Sequence, residues 1–237
     1  MSEPNVNAIP VARQSRTNVK ALTSIAMLTA ISYAVMVLSK MIPPLLGFLQ
    51  LDLKDTVITI GGFVFGPMAA ALISVIVAAV EFFTVSHTGP IGLIMNVLAT
   101  CAFCCTAAYV YKKKHTHKGA VLGLSLGTVI LTIVMLLWNY LITPFYQGVP
   151  REVVAGMLPT VFLPFNVVKG GLNMALILVI YKPVVTALRK IHMLPASTSS
   201  APTDTADAKK ASKTYLVFSL ALLVVFVALA LVLMMKK

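Results

Sequence analysis

The sequence predicts an all-α membrane protein: a six-helix bundle followed by an additional C-terminal transmembrane helix. Three observations carry this. Of the 237 residues, 59% are hydrophobic and only 11% are charged, with a mean hydropathy of +0.93. A soluble domain of this size has too little interior to hide so much apolar surface. The apolar residues also fall in long runs punctuated by proline, glycine and lysine, and the basic residues gather at the ends of those runs.

Residues 1–18 read as a cytoplasmic tail. No small-residue cleavage site follows promptly on the segment behind Arg13, Arg16 and Lys20, so that segment is expected to stay as a span rather than leave as a signal. The first helix is expected over 19–40, and Pro43-Pro44 prevents its continuation. Residues 45–55 read as a polar-tipped loop at the membrane surface. A short helix over 56–65 is broken by Gly66-Pro67, and a third helix over 68–83 follows directly. A loop carrying His87 leads into a fourth helix, 91–111, which ends in the densest basic run of the chain, residues 112–118. A fifth helix is expected over 120–142. The sixth begins near Pro159 or Pro164 and ends near Tyr181. Together these make a membrane domain over 19–190. Residues 191–213 read as a flexible linker. The final segment, 214–237, holds an apolar run over 215–235 that is long enough to span and reads as an anchor or lipid-facing helix.

The charge pattern gives an orientation. With the N-terminus inside, Arg13, Arg16, Lys20, the lysines of 112–118, and Lys182, Arg189, Lys190, Lys209, Lys210 and Lys213 all lie in the cytoplasm. The opposite face of the six-helix part keeps only Lys40, Lys54 and Arg151, as the positive-inside rule requires. The seventh span would put Lys236 and Lys237 outside, against the rule. The formal charge of +12 is therefore read as membrane orientation and not as nucleic-acid binding.

Absent motifs narrow the function. There is no G-x-x-x-x-G-K-[ST] loop, so the chain does not bind ATP in that manner. Neither H-E-x-x-H, nor a serine elbow, nor paired intramembrane carboxylates appear, which argues against a protease, lipase or proton pump. No catalytic residue is assigned. The cysteines Cys101, Cys104 and Cys105 share one apolar helix without a nearby histidine and read as small apolar fillers, so no metal site is expected. No clear two-fold repeat supports an independent secondary transporter. A binding subunit powered by other chains fits these absences.

One residue breaks the apolar pattern most sharply. Lys169 lies inside the sixth span, where a lysine at a helix centre costs about 2.5–3.5 kcal/mol and usually marks a ligand or ion site. Asn166 and Asn173, three residues before and four after, share its helix face. Asn96 and Asn139 sit at similar outward depths in their own helices, which argues for one outward-facing polar pocket. Asparagine supplies donors and an acceptor, suited to hydroxyls, amides or ring carbonyls. Glu81, the one acid within an apolar run, has three readings: a partner for Lys169, a proton coupler, or a headgroup contact at the outer end of its helix. On the first helix, Ala26, Ala30 and Ala34 recur every fourth residue, the spacing that lets another helix approach closely in lipid.

These residues resemble a known family. Leu49-Gln50-Leu51-Asp52, Phe65-Gly66-Pro67, Gly89-Pro90-Ile91-Gly92 with Asn96, Trp138-Asn139-Tyr140, and the run from Pro164 to Gly170 are similar to elements of the S-components of energy-coupling factor (ECF) vitamin transporters, most closely the riboflavin-specific ones. The likeness covers about 19–190. It implies a six-helix S-component bundle in the cell membrane, with an outward pocket capped by the loop between the first two helices. It also implies that Asn139, Tyr140, Asn166 and Lys169 contact riboflavin, with Gln50 and Leu51 from the capping loop and Gly92 and Asn96 beside the ring system. The family often has threonine where Gln50 stands. The resemblance makes riboflavin a transported ligand rather than a cofactor. It makes the alanine stripe the surface for a transmembrane coupling subunit, which works with two ABC ATPases. The seventh span lies outside the usual pattern.

One physical consideration points elsewhere. A buried ammonium is compensated better by an anion than by neutral riboflavin, which keeps carboxylate vitamins such as folate, pantothenate and biotin as alternatives. Two further readings are a membrane enzyme using Glu81 or His87 as acid–base group, and an assembly subunit whose polar residues only join helices.

Overall fold

In the computed structural model, which describes residues 12–44, 49–85, 88–190 and 206–235, the chain is helical throughout its regular elements. Helix α1 covers Ala12–Ser39, α2 Lys54–Phe65, α3 Pro67–Thr84, α4 Gly89–Lys114 and α5 His117–Gln147. Helix α6 covers Arg151–Met157, α7 Leu163–Lys190 and α8 Ala206–Met235. A π-helical turn, Leu158–Phe162, joins α6 to α7 without a break. Six stretches among the described residues are long and apolar enough to cross a membrane, the last being Tyr215–Met235.

Helix α2 is different. Its twelve residues extend about 18 Å, well short of the roughly 30 Å hydrocarbon core. It lies inside the bundle against α1, α3, α4 and α7, and nine of its residues are buried. Adjacent glycines make this possible. A Cβ on Gly61 would stand 2.9 Å from Ile73 Cδ1, and one on Gly62 would stand 2.9 Å from Ala108 Cβ and 3.0 Å from Ala70 Cβ. The turn into α3 falls on Gly66, whose φ of 96° is natural only for glycine, and Pro67 then opens α3 with its φ already helical.

The α4–α5 contact is built on a second small-residue series. Gly123 and Gly127 of α5 lie so close to α4 that an added Cβ would stand 2.8 Å from the Ala107 and Phe103 carbonyl oxygens. In lipid no hydrophobic force draws helices together, so this backbone approach provides the packing. Gly127→Leu is therefore expected to push the two helices apart and to abolish recovery of folded protein. Monodispersity on size-exclusion chromatography in detergent checks this, with the exposed Leu126→Ala as a control of unchanged behaviour.

The structure departs from the expected elements at several places, among them the end of the sixth span, whose helix α7 runs on through Pro183 to Lys190 instead of ending near Tyr181. Helix α1 begins at Ala12 and not near residue 19. Helix α5 continues through Pro144 to Gln147, beyond the expected end at 142. The sixth span starts at Arg151 instead of at a proline, because Pro159 is absorbed in the π-helical turn and Pro164 in the first turn of α7. The polar-tipped surface loop ends sooner than expected: Lys54 and Asp55 already belong to α2, each only 1% exposed. His87 and residues 191–205 of the expected linker lie outside the described residues, whereas 206–213 are helical.

Candidate functional site

Charges converge at the end of the bundle where α1 and α3 finish and α2 begins. The Lys54 ammonium lies 2.6 Å from Asp52 Oδ2 and 2.8 Å from Glu81 Oε2. Glu81 Oε1 in turn pairs with Lys40 at 3.0 Å, and Lys40 also donates to the Val85 carbonyl. Asp52 Oδ1 accepts from the Lys54 backbone N–H at 2.9 Å, closing the turn that starts α2. Burial favours the neutral form of Asp52, but the ammonium groups of Lys54 and Lys169 outweigh it and hold this carboxyl below its ordinary value. Glu81 is thus neither a headgroup contact nor a partner of Lys169: it ties the end of α3 to α1 and α2.

Lys169 has a different counter-ion. Its Nζ lies 4.0 Å from Asp55 Oδ2, and Asp55 Oδ1 accepts from Thr100 Oγ1 at 2.8 Å. Oδ2 is buried without a hydrogen-bond partner, and 4.0 Å is too long for a hydrogen bond. The pair balances charge while leaving the ammonium's donors uncommitted to Asp55. Below it, Asn173 donates to the Asp52 and Lys169 carbonyls, both at 3.0 Å, and accepts from Thr56 Oγ1 at 2.8 Å. Asn173 thereby fixes the capping loop and α2 to α7, a bracing role distinct from its neighbours on the same face.

Above this floor is a cavity of about 480 Å³, within the range of small-molecule sites. Asn96 of α4, Asn139 of α5, and Asn166 and Lys169 of α7 line it, as do Gln50 and Leu51 of the capping loop. Apolar surface comes from Met36, Met95, Met135 and Phe165. Asn139 donates to the Met135 carbonyl at 2.7 Å and accepts from Thr143 at 2.9 Å; Asn166 donates to the Phe162 carbonyl at 2.8 Å. These bonds to the preceding turn fix the orientation of both amides.

Two expected residues do not line the cavity. Tyr140 is 40% exposed on the outer surface, because one residue after Asn139 the helix has turned by about 100°. Gly92 is buried beneath Thr88: a Cβ there would overlap the Thr88 side chain, so this glycine makes room for a residue that does line the cavity. Sequence reasoning named Glu81 without its partners, and it missed Asp52 and Lys40, at the cavity wall with Glu81, and Asp55 beneath it. The available signal was their sign. Nearly every acid outside the tails falls at this one end of the bundle. The alanines Ala26, Ala30 and Ala34 are all exposed on α1.

A membrane-embedded bundle with a closed-packed helical floor and a polar cavity at one end defines a small-molecule-binding membrane protein. Comparison with known proteins makes the class specific. Residues 20–185 match the model of the family described as "ECF transporter, substrate-specific component", and the chain belongs to that family. It is 30% identical over 192 residues to the riboflavin transporter FmnP of Bacillus subtilis (strain 168), covering 74% of this chain and 98% of the relative. It is 29% identical over 178 residues to the riboflavin transporter RibU of Staphylococcus aureus (strain TCH60), covering 73% and 94%. A solved structure described as the S component of a bacterial ECF transporter superposes with a TM-score of 0.62 at 29% identity, over 73% of this chain and 99% of that one.

Proposed function

We propose that the chain captures riboflavin outside the cell and delivers it inward with an ATP-driven coupling module. The observation that carries this reading is the charge balance of the site. Lys40, Lys54 and Lys169 are matched by Asp52, Asp55 and Glu81. A cavity neutral in itself suits an uncharged ligand, and Asp55 removes the argument for an anion at Lys169. Three asparagines and an ammonium around apolar walls suit a flat ring with several carbonyl and imide groups. The names of the relatives supply the particular molecule. Gly92 and Tyr140 act at second remove in this reading: the first seats Thr88, the second faces lipid.

The coupling module comprises a transmembrane subunit and two ABC ATPases, and the exposed Ala26, Ala30 and Ala34 offer the subunit a close-packing face. The N-terminus is cytoplasmic. The excess of lysine and arginine on the opposite face over the three outward basic residues Lys40, Lys54 and Arg151 supports this orientation. The chain itself carries out no chemistry.

The test is to purify the chain in detergent and record its visible absorption. Flavin bands that are released on denaturation and identified as riboflavin are expected, together with saturable quenching of added riboflavin fluorescence. A colourless protein that leaves riboflavin fluorescence unchanged but binds a carboxylate vitamin overturns the assignment.

A further inference from the structure

The eighth helix lies wholly outside the matched residues 20–185. Its role has to be read from its own packing. Most of Tyr215–Met235 faces outward, with only 11% of its most apolar window buried. One stripe does not. Ser219 is buried, Leu222 packs on the main core, and Leu223, Phe226, Ala230, Leu233 and Met234 follow at helical spacing in a second cluster.

That second cluster joins α8 to the cavity. It contains Leu49, Leu51 and Leu53 of the capping loop together with Phe165, Val168 and Leu172 of α7. Leu49, Leu51 and Phe165 also line the cavity. The seat for α8 is specific: Gly171, two residues beyond Lys169, lacks the side chain that would otherwise overlap the Phe226 ring. At the opposite end of the helix the Tyr215 ring stacks on His117 of α5, with centroids 5.3 Å apart and planes 13° from parallel. A helix serving only as a lipid anchor needs neither a glycine socket nor an apolar cluster shared with the loop over a binding site.

We propose that Phe226 and Ala230 of α8 are positioning residues for the capping loop, holding Leu51 and its neighbour Gln50 at the cavity and so slowing ligand release. This rests on the riboflavin reading for its kinetic readout but not for its structural one. Leu51, 6% exposed, shares this apolar cluster with Phe226 and Ala230 while also lining the cavity. Loosening that cluster frees the loop without touching the asparagines or Lys169.

The experiment uses the full chain with Phe226→Ala, Phe226→Leu and, as a control on the exposed face of the same helix, Val224→Ala. Riboflavin dissociation is followed by stopped-flow fluorescence, and backbone hydrogen exchange of residues 49–53 is measured without ligand. Phe226→Ala is expected to release riboflavin at least tenfold faster with association changed less than twofold, and to exchange faster at 49–53. Phe226→Leu falls between it and the native protein, and remains the test if the alanine variant does not fold. Val224→Ala behaves as native. Native dissociation and exchange in both Phe226 variants overturn the proposal and leave α8 a lipid anchor. A native protein that fails to bind riboflavin refutes the ligand reading instead, while the exchange result still decides the role of α8.

Discussion

Lys54→Met lowers the thermal midpoint of the purified protein more than any other single change at this end of the bundle, and reduces the monodisperse fraction recovered in detergent. The ammonium it removes is 1% exposed and sits between Asp52 and Glu81 at 2.6 and 2.8 Å. Without it Asp52 loses its ion-pair partner and the buried Glu81 keeps only Lys40, and removing one partner of a buried ion pair typically costs about 3–5 kcal/mol. Methionine nearly fills the lysine stem's volume, so the loss is electrostatic and not a cavity effect. The same reasoning gives a rescue. Lys54→Met combined with Asp52→Asn, with Glu81 left paired to Lys40, leaves no unpaired charge in the cluster, and recovers most of the midpoint. A single variant as stable as the native chain removes the cluster from the account of the fold; a double variant no better than the single one removes the charge argument.

Some of this organisation was legible in the sequence because it depends on local pattern. Lys169 stood out because nothing in an apolar run explains a lysine, and Asn96, Asn139 and Asn166 stood out by shared depth. The structure brings all of them to one cavity. The Asp52–Lys54–Glu81 cluster was not legible, since charges just ahead of a helix look like surface charges until their partners are known. Glu81 lies 27 residues from Lys54, and nothing local links them. Tyr140 shows the converse error: a motif treats adjacent residues as a unit, whereas a helix turns only one of them inward. Gly123 and Gly127 obey the same small-residue spacing that singles out Ala26, Ala30 and Ala34, yet one series packs inside the chain and the other is exposed. Spacing marks a close-packing face without saying whether the partner is the same chain or another.

The two ends of this problem meet at Lys169 and Asp55, where binding and stability are expected to separate. Lys169→Ala removes a charged donor from the cavity, an interaction worth about 1.5–3 kcal/mol, so riboflavin affinity falls roughly 10- to 150-fold. It also strands the Asp55 carboxylate, 1% exposed, and the thermal midpoint falls with it. Asp55→Asn alone has the opposite character. The ammonium is left without its counter-ion, and the cavity acquires a net positive charge that favours anions, so carboxylate vitamins begin to compete with riboflavin where they did not before. In the double variant Lys169→Ala with Asp55→Asn, both charges are gone: stability returns, because neither buried charge is stranded, but affinity does not, because the donor is still missing. Fluorescence titration and thermal unfolding of the four proteins, compared as a double-mutant cycle, distinguish these outcomes. Unchanged riboflavin affinity in Lys169→Ala removes this lysine from the site. Affinity restored in the double variant shows that the lysine acts only by neutralising Asp55, and the task of meeting the ligand then falls to the asparagines alone.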